Sequence, residues 1–216
     1  MILLKSLKMK FKVCGLFNDK NIQEVAELNP DYIGHVFWEK SVRYVKDSTQ
    51  ELKKGIKKTG VFFNSKIENI YDKIENHDLT CVQLHGEESP QLCKEIKDNG
   101  IEVIKSFRID DYFDFNILNK YEDYCNLFLF DSKSKLPGGT GKSFNWEILK
   151  KYNLKKEFFI SGGIGHHSVD SLFELFKMNL PIYGVDLNSK FEDENHLKKI
   201  QELKTFIQIV KNEIYS

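Results

Sequence analysis

The feature that most constrains this chain is an alternation repeated eight times. Short apolar runs rich in Val, Ile and Phe each lead into a charged, amphipathic stretch. The runs span 11–14, 32–37, 59–63, 81–84, 103–107, 127–131, 158–161 and 183–187. Stretches with helical spacing lie at 21–28, 49–58, 66–76, 89–99, 169–177 and 196–214. In the last of these Leu197, Ile200, Leu203, Ile207 and Val210 recur every three or four residues, which is one helix face. Hairpin signals are missing, so successive strands must pair in parallel through crossovers. Two α/β architectures do this: an open doubly wound sheet and a closed (β/α)8 TIM barrel. The 216 residues divide into units of about 27, close to the minimum for a strand, a helix and two loops, and that uniformity favours the barrel.

The rest of the chain is consistent with one domain. Met9 opens a tidy second start, Met-Lys-Phe-Lys-Val-Cys-Gly, so residues 1–8 are expected as an N-terminal extension and 9–216 as the barrel. Lys plus Arg equals Asp plus Glu at 32 each, which argues against a nucleic-acid binder and against a polybasic membrane anchor. No stretch approaches the roughly 20 apolar residues of a membrane span. The four cysteines have no paired spacing, which fits a reduced, cytoplasmic setting. A monomer and a homodimer remain equally open.

A barrel carries its chemistry at the C-terminal ends of its strands. Here those ends hold Cys14-Gly15, Arg43, Asn64, Gln83, His85, Arg108, Asp131, Gly162-Gly163, Asp186 and Asn188-Ser189. Ser161-Gly162-Gly163-Ile164-Gly165 precedes a helix that Ser168 could cap, and its glycines let backbone N–H groups approach an anion. Asn188 or Ser189 could cap a short extra helix, completing the usual barrel phosphate site. Ordinary turns explain the same residues.

Residues 136–143 resemble a nucleotide P-loop, but Leu136 stands where Gly is required, so a loop closing over the site is the better reading. Cys14 and Asp131 end strands one and six and suit general base and general acid work across a substrate. A free thiol ionises near 8.5, so a modest environmental shift would make Cys14 a usable base; a small buried strand residue is the bland alternative. Arg43 is one of two arginines against thirty lysines, which points to a planar anion, or else to a surface charge. The six histidines lack metal-ligand spacing, so no metal is expected.

Taken together, seven segments resemble the phosphoribosylanthranilate isomerase family of tryptophan biosynthesis. They are Lys12-Val-Cys-Gly-Leu16, Ser41-Val-Arg-Tyr-Val45, Gly60-Val-Phe-Phe-Asn64, Val82-Gln-Leu-His-Gly-Glu87, Gly138-Gly-Thr-Gly-Lys-Ser-Phe-Asn-Trp146, Ser161-Gly-Gly-Ile164 and Gly184-Val-Asp-Leu-Asn-Ser189. The resemblance covers the chain from Lys12 to Glu192. It implies a cofactor-free single-domain barrel that carries out an Amadori rearrangement of N-(5-phosphoribosyl)anthranilate. It further implies Asp131 as general acid, Cys14 as general base and Arg43 as the anthranilate carboxylate ligand. Gly162, Gly163, Asn188 and Ser189 would hold phosphate, while Gln83, His85 and Asp186 would line the substrate pocket. Val42, Phe17, Asn145 and Lys190 depart from the family pattern, and Lys190 replaces a glycine beside the expected phosphate. Two rival readings stand beside it. One is the histidine-pathway aminoaldose isomerase, which resembles an Asp at the first strand end where this chain has Cys14. The other is a phosphosugar-binding barrel without catalysis.

Overall fold

The computed structural model describes residues 9–46, 49–132 and 146–215. The expected extension 1–8 and the Gly-rich segment 136–143 lie outside the described residues. Eight parallel strands close into a barrel in chain order: β1 (Lys10–Cys14), β2 (Tyr32–Val36), β3 (Lys57–Phe62), β4 (Cys81–Leu84), β5 (Glu102–Ile109), β6 (Leu127–Ser132), β7 (Phe158–Ser161) and β8 (Ile182–Leu187). All eight expected strands are found. The seam between β1 and β8 sets Lys12 opposite Asp186. Gly184 makes that seam possible, because a Cβ there would lie 2.2 Å from the Lys10 carbonyl oxygen.

Among the described residues five α-helices cover the outside: α1 (Asp19–Ala26), α2 (Ile67–His77), α3 (Pro90–Asp98), α4 (Val169–Phe176) and α5 (Ile200–Tyr215). Local chemistry explains their starts. The Asn18 side chain accepts a hydrogen bond from the Asn21 N–H, and Ser89 caps α3 ahead of Pro90 in its first turn. The helix expected over 49–58 is not there. Gly55 takes φ +102, Lys57 and Lys58 already belong to β3, and only Leu52 and Ile56 reach the core from this stretch. The last helix starts at Ile200 rather than 196, because His196 sits at φ +62 and Glu192 bridges Lys198 in an antiparallel pair.

Among the described residues, the crossovers after β5 and β6 carry short 3₁₀ turns, Phe115–Lys120 and Trp146–Lys151. Aromatic side chains pack together beneath these turns. Phe107 meets Phe128 edge-on at 5.3 Å, Phe130 packs on Phe158 at 4.8 Å, and Tyr152 meets Phe158 at 5.0 Å. Edge-to-face ring pairs each contribute roughly 0.5–1.5 kcal/mol beyond area burial. Part of the chain's Phe content serves this sector, where Phe107, Phe113, Phe115, Phe128, Phe130 and Phe158 pack on one another. Inside the barrel a separate cluster of Tyr32, Cys81, Ile104, Leu127, Leu129 and Phe159 fills the lumen and floors the site above it. No helix among the described residues is long and apolar enough to cross a membrane.

Candidate active site

The C-terminal mouth holds a cavity of about 390 Å³. Of the strand-end residues named from the sequence, Cys14, Arg43, Gln83, His85, Arg108, Asp131, Gly162, Gly163, Asp186, Asn188 and Ser189 line it, while Gly15 and Asn64 do not. Strand alternation accounts for this, since one face of each strand points into the lumen and the last inward residue meets the mouth.

Cys14 is buried at the top of β1, and Gly34 on β2 makes room for it, because a Cβ there would lie 2.7 Å from the sulfur. Two residues back, on the same face of β1, stands Lys12, which is fully buried. Its Nζ donates to Asp186 Oδ1 at 2.8 Å, and Ser161 Oγ donates to Asp186 Oδ2 at 2.9 Å. Burial alone would push the Lys12 amine down, but Asp186 and Cys14 outweigh it and hold the ammonium above its usual range. Burial pushes the Cys14 thiol up, while Lys12 and Lys198 pull it down and Asp186 pushes it up again. The slight shift toward thiolate expected from sequence is therefore reversed in the resting site. Lys12 is the nearest counter-charge for a thiolate, and sequence reading passed over it. The signal was available: a lone Lys inside an apolar run, two positions before a strand-end cysteine.

Asp131 stands next to last in β6, with about a quarter of its side chain exposed. His85 Nε2 lies 3.4 Å from Asp131 Oδ2, and Gln83 Nε2 donates to His85 Nδ1 at 2.9 Å. A ring nitrogen that accepts at Nδ1 carries its proton at Nε2, so the imidazole presents an N–H toward the carboxylate. Around the closed ring, β6 and β1 are separated by β7 and β8. Cys14 and Asp131 thus flank the sector of Ser161 and Asp186 rather than standing diametrically opposite, as expected.

Arg43 is drawn to one side. Its Nε and Nη2 both bond the carboxylate of Glu192, whose side chain is 3% exposed. Lys198 Nζ bonds the same carboxylate and also donates to Asn188 Oδ1 at 2.8 Å. Burial would push Glu192 up, but Arg43 and Lys198 outweigh it and keep the carboxyl ionised below its usual range. Neither Glu192 nor Lys198 was legible from local pattern. They meet Arg43 only because the stretch after β8 folds back across the mouth.

The glycine loop after β7 has the backbone freedom expected of it. Gly162 and Gly163 take φ +93 and +66, and a Cβ on Gly163 would meet nothing within 4 Å. The caps differ from expectation. Ser168 Oγ bonds the Gly165 N–H and carbonyl around a 3₁₀ turn, His166–Ser168, and makes no side-chain cap to α4. Asn188 likewise gives no cap to the turn Ser189–Phe191, its oxygen being taken by Lys198. Lys190 is not among the residues at positive φ, so this backbone needs no glycine there. The loops after β3 and β4 are pinned from behind. Buried Lys105 binds Glu88 at 3.1 Å and three carbonyl oxygens, while Glu88 accepts from Asn64 N and Gly86 N. That fixes the two loops beside Phe63 and His85. Among the described residues, no group of three or more His, Cys, Asp or Glu is arranged to hold a metal ion.

The sequence profile described as N-(5'phosphoribosyl)anthranilate (PRA) isomerase matches residues 11–209. The chain is 39% identical over 206 residues to N-(5'-phosphoribosyl)anthranilate isomerase of Parabacteroides distasonis, covering 93% of this chain and 92% of that one. Among solved structures, phosphoribosyl anthranilate isomerase from Thermotoga maritima superposes with a TM-score of 0.80 at 29% identity, over 94% of this chain and 99% of that chain. A phosphoribosyl anthranilate isomerase in complex with reduced 1-(o-carboxyphenylamino)-1-deoxyribulose 5-phosphate superposes with a TM-score of 0.78 at 27% identity, over 94% and 99% of the two chains.

Proposed function

This chain belongs to the N-(5'-phosphoribosyl)anthranilate isomerase family and is an isomerase of tryptophan biosynthesis, and from that premise we propose how its residues divide the reaction. Asp131 is the general acid that protonates the ribose ring oxygen and opens the ring to a Schiff base. Cys14 is the general base that removes the C2 proton, and the enolamine so formed tautomerises to the ketone, 1-(o-carboxyphenylamino)-1-deoxyribulose 5-phosphate. The product is an isomer of the substrate, so protons taken and given through Cys14 and Asp131 balance with solvent over a turnover.

The observation that carries this division is the shared cavity, with an ammonium beside the base and an N–H donor beside the acid. Lys12 faces the sulfur that must become a thiolate. The His85 N–H faces the carboxylate that Asp131 becomes after giving its proton. The Gly162-Gly163 loop and the Asn188-Ser189 turn take the phosphate, which brings a helix-side anion site to one rim. Asp186 and Gln83 line the ribose between them. Fixing the anionic end of the substrate turns proton transfer into an intramolecular event. Every residue named comes from one chain, so a monomer and a homodimer serve equally. The four cysteines are all buried and unpaired, which suits a reduced, cytoplasmic setting.

General acid–base groups contribute typically 10²–10⁴-fold. Cys14→Ser and Asp131→Asn should therefore each lower kcat by at least ~100-fold in a fluorescence assay of phosphoribosylanthranilate consumption, with circular dichroism unchanged. Turnover within a few-fold of the unaltered protein in either variant would remove that residue from its role.

A further inference from the structure

We propose that Lys105 and Glu88 are positioning residues for catalysis: as a buried ion pair they hold the backbone on both sides of His85, so that its imidazole keeps an N–H turned toward Asp131. The proposal rests on the isomerase reading above, in which Asp131 gives up a proton. It assigns a part in that step to two residues that never meet the substrate.

Their place in the barrel excludes direct contact. In β5, Ile104 packs in the lumen and Arg108 lines the mouth, so Lys105 points the other way, behind the barrel wall. The Lys105 and Glu88 side chains are each 2% exposed, and neither is among the described residues that line the cavity. The ammonium lies 5.3 Å from the centroid of the Phe107 ring and 6.0 Å from that of Tyr121. Stability gives little reason for a charge in such surroundings. Apolar residues of similar volume in place of a buried ion pair often leave stability unchanged or raise it. What a fully bonded buried network does provide is a rigid, single arrangement.

That arrangement is centred on His85. The peptide units before and after a residue set its φ and ψ, and both of these units are tied to the pair. Lys105 Nζ donates to the Leu84 carbonyl at 3.2 Å, and the Gly86 N–H donates to Glu88 Oε1 at 3.0 Å. The next unit is held too, since Lys105 Nζ also donates to the Gly86 carbonyl at 2.7 Å. The ion pair itself closes at 3.1 Å. The loop after β3 braces the same turn: the Asn64 N–H donates to Glu88 Oε1 at 2.9 Å, and Asn64 Oδ1 accepts from the Glu87 N–H at 2.7 Å. Fixing φ and ψ fixes the direction in which the His85 side chain leaves the chain.

The far end of that side chain has little slack. Gln83 Nε2 donates to Nδ1, and His85 Nε2 stands 3.4 Å from Asp131 Oδ2. This is already long for an N–H···O contact, so a small backbone shift decides whether it is made.

Two measurements on the full chain test this, using the double variant Lys105→Met with Glu88→Gln. It removes both charges and keeps an oxygen for the Asn64 and Gly86 N–H groups. In nitrogen NMR of histidine-labelled protein, with the His85 signal identified by its loss in His85→Ala, the unaltered chain should show the Nε2–H tautomer. The folded double variant should show an average of both tautomers. In turnover of phosphoribosylanthranilate, kcat should fall by about tenfold to a hundredfold, the scale of a misplacement of about 1 Å, with KM little changed. Added to His85→Ala, the same two changes should lower kcat further by less than about twofold, because the residue they position is gone. A general loss of rigidity would instead add its full cost there. Full additivity with His85→Ala, or a folded double variant that keeps either the Nε2–H signal or kcat, would overturn the proposal. Should the double variant not fold, Glu88→Gln alone is judged by the same criteria. The isomerase reading fails separately: the unaltered protein would then not turn over phosphoribosylanthranilate, while the tautomer signal still decides whether the pair holds His85.

Discussion

Replacing Lys12 by Met should show how much of the Cys14 chemistry depends on one buried ammonium. Lys12 and Asp186 are 0% and 5% exposed and 2.8 Å apart. Removing the ammonium leaves the Asp186 carboxylate in the lumen with Ser161 Oγ at 2.9 Å. Breaking a buried pair in this way costs about 3–5 kcal/mol. The thiol loses as well. Lys12 pulls the thiol down while burial and Asp186 push it up, so without the ammonium the thiol rises further, Lys198 offsetting part of the loss, and thiolate alkylation near neutrality slows. The assay is iodoacetamide labelling of Cys14 from pH 6 to 10, read by mass spectrometry, alongside urea unfolding. The double variant Lys12→Met with Asp186→Asn should recover most of the stability, since no uncompensated charge remains. An unchanged labelling profile in folded Lys12→Met, or a double variant no more stable than the single, would refute the reasoning.

Two further outcomes concern the scaffold. His35 is buried with Nδ1 2.8 Å from the Leu16 carbonyl, and burial, with Lys58 and His77 adding to it, pushes its imidazole down to about 4. The unfolded chain binds that proton near 6.5 and the folded chain does not, so stability is full above 6.5 and is lost as pH falls toward 4. At about 1.4 kcal/mol per unit, His35 alone removes ~2 kcal/mol by pH 5; urea unfolding of His35→Asn should show a flatter slope between pH 6.5 and 5, and an identical slope would exclude His35 as the cause. Gly184→Ala places a Cβ 2.2 Å from the Lys10 carbonyl oxygen and 2.8 Å from the Phe159 ring. Overpacking of this kind costs typically about 1–3 kcal/mol, so its unfolding midpoint should fall by at least about 3 °C; an unchanged midpoint would mean that the β1–β8 seam yields freely.

Much of the site was legible because a barrel converts sequence position into spatial position. Once a residue is placed at the C-terminal end of an inward-facing strand, the fold brings it to the mouth, which is why Cys14, His85, Asp131 and Asp186 share one cavity. Legibility failed where a role depends on a partner. Arg43 looked like an open anion ligand, and Glu192, 149 residues away, has taken one edge of it. Ser168 and Asn188 looked like helix caps, and each spends its oxygen elsewhere. The amphipathic-looking stretch 49–58 formed no helix, because Gly55 takes φ +102 and Lys57 and Lys58 already pair in β3.

The sequence by itself determined the strand count, the parallel order and the end of the barrel that carries chemistry. These follow from local periodicities of 2 and 3.6 and from turn composition, which neighbouring residues specify together. Only the tertiary structure decided the electrostatics. Lys12 meets Asp186 across 174 positions, and Arg108 reaches the same cavity as Arg43 by way of strand register. Charges act through space over a few ångströms of low-dielectric interior, so their effect is set by which strands close the ring, and separation along the chain carries no record of it.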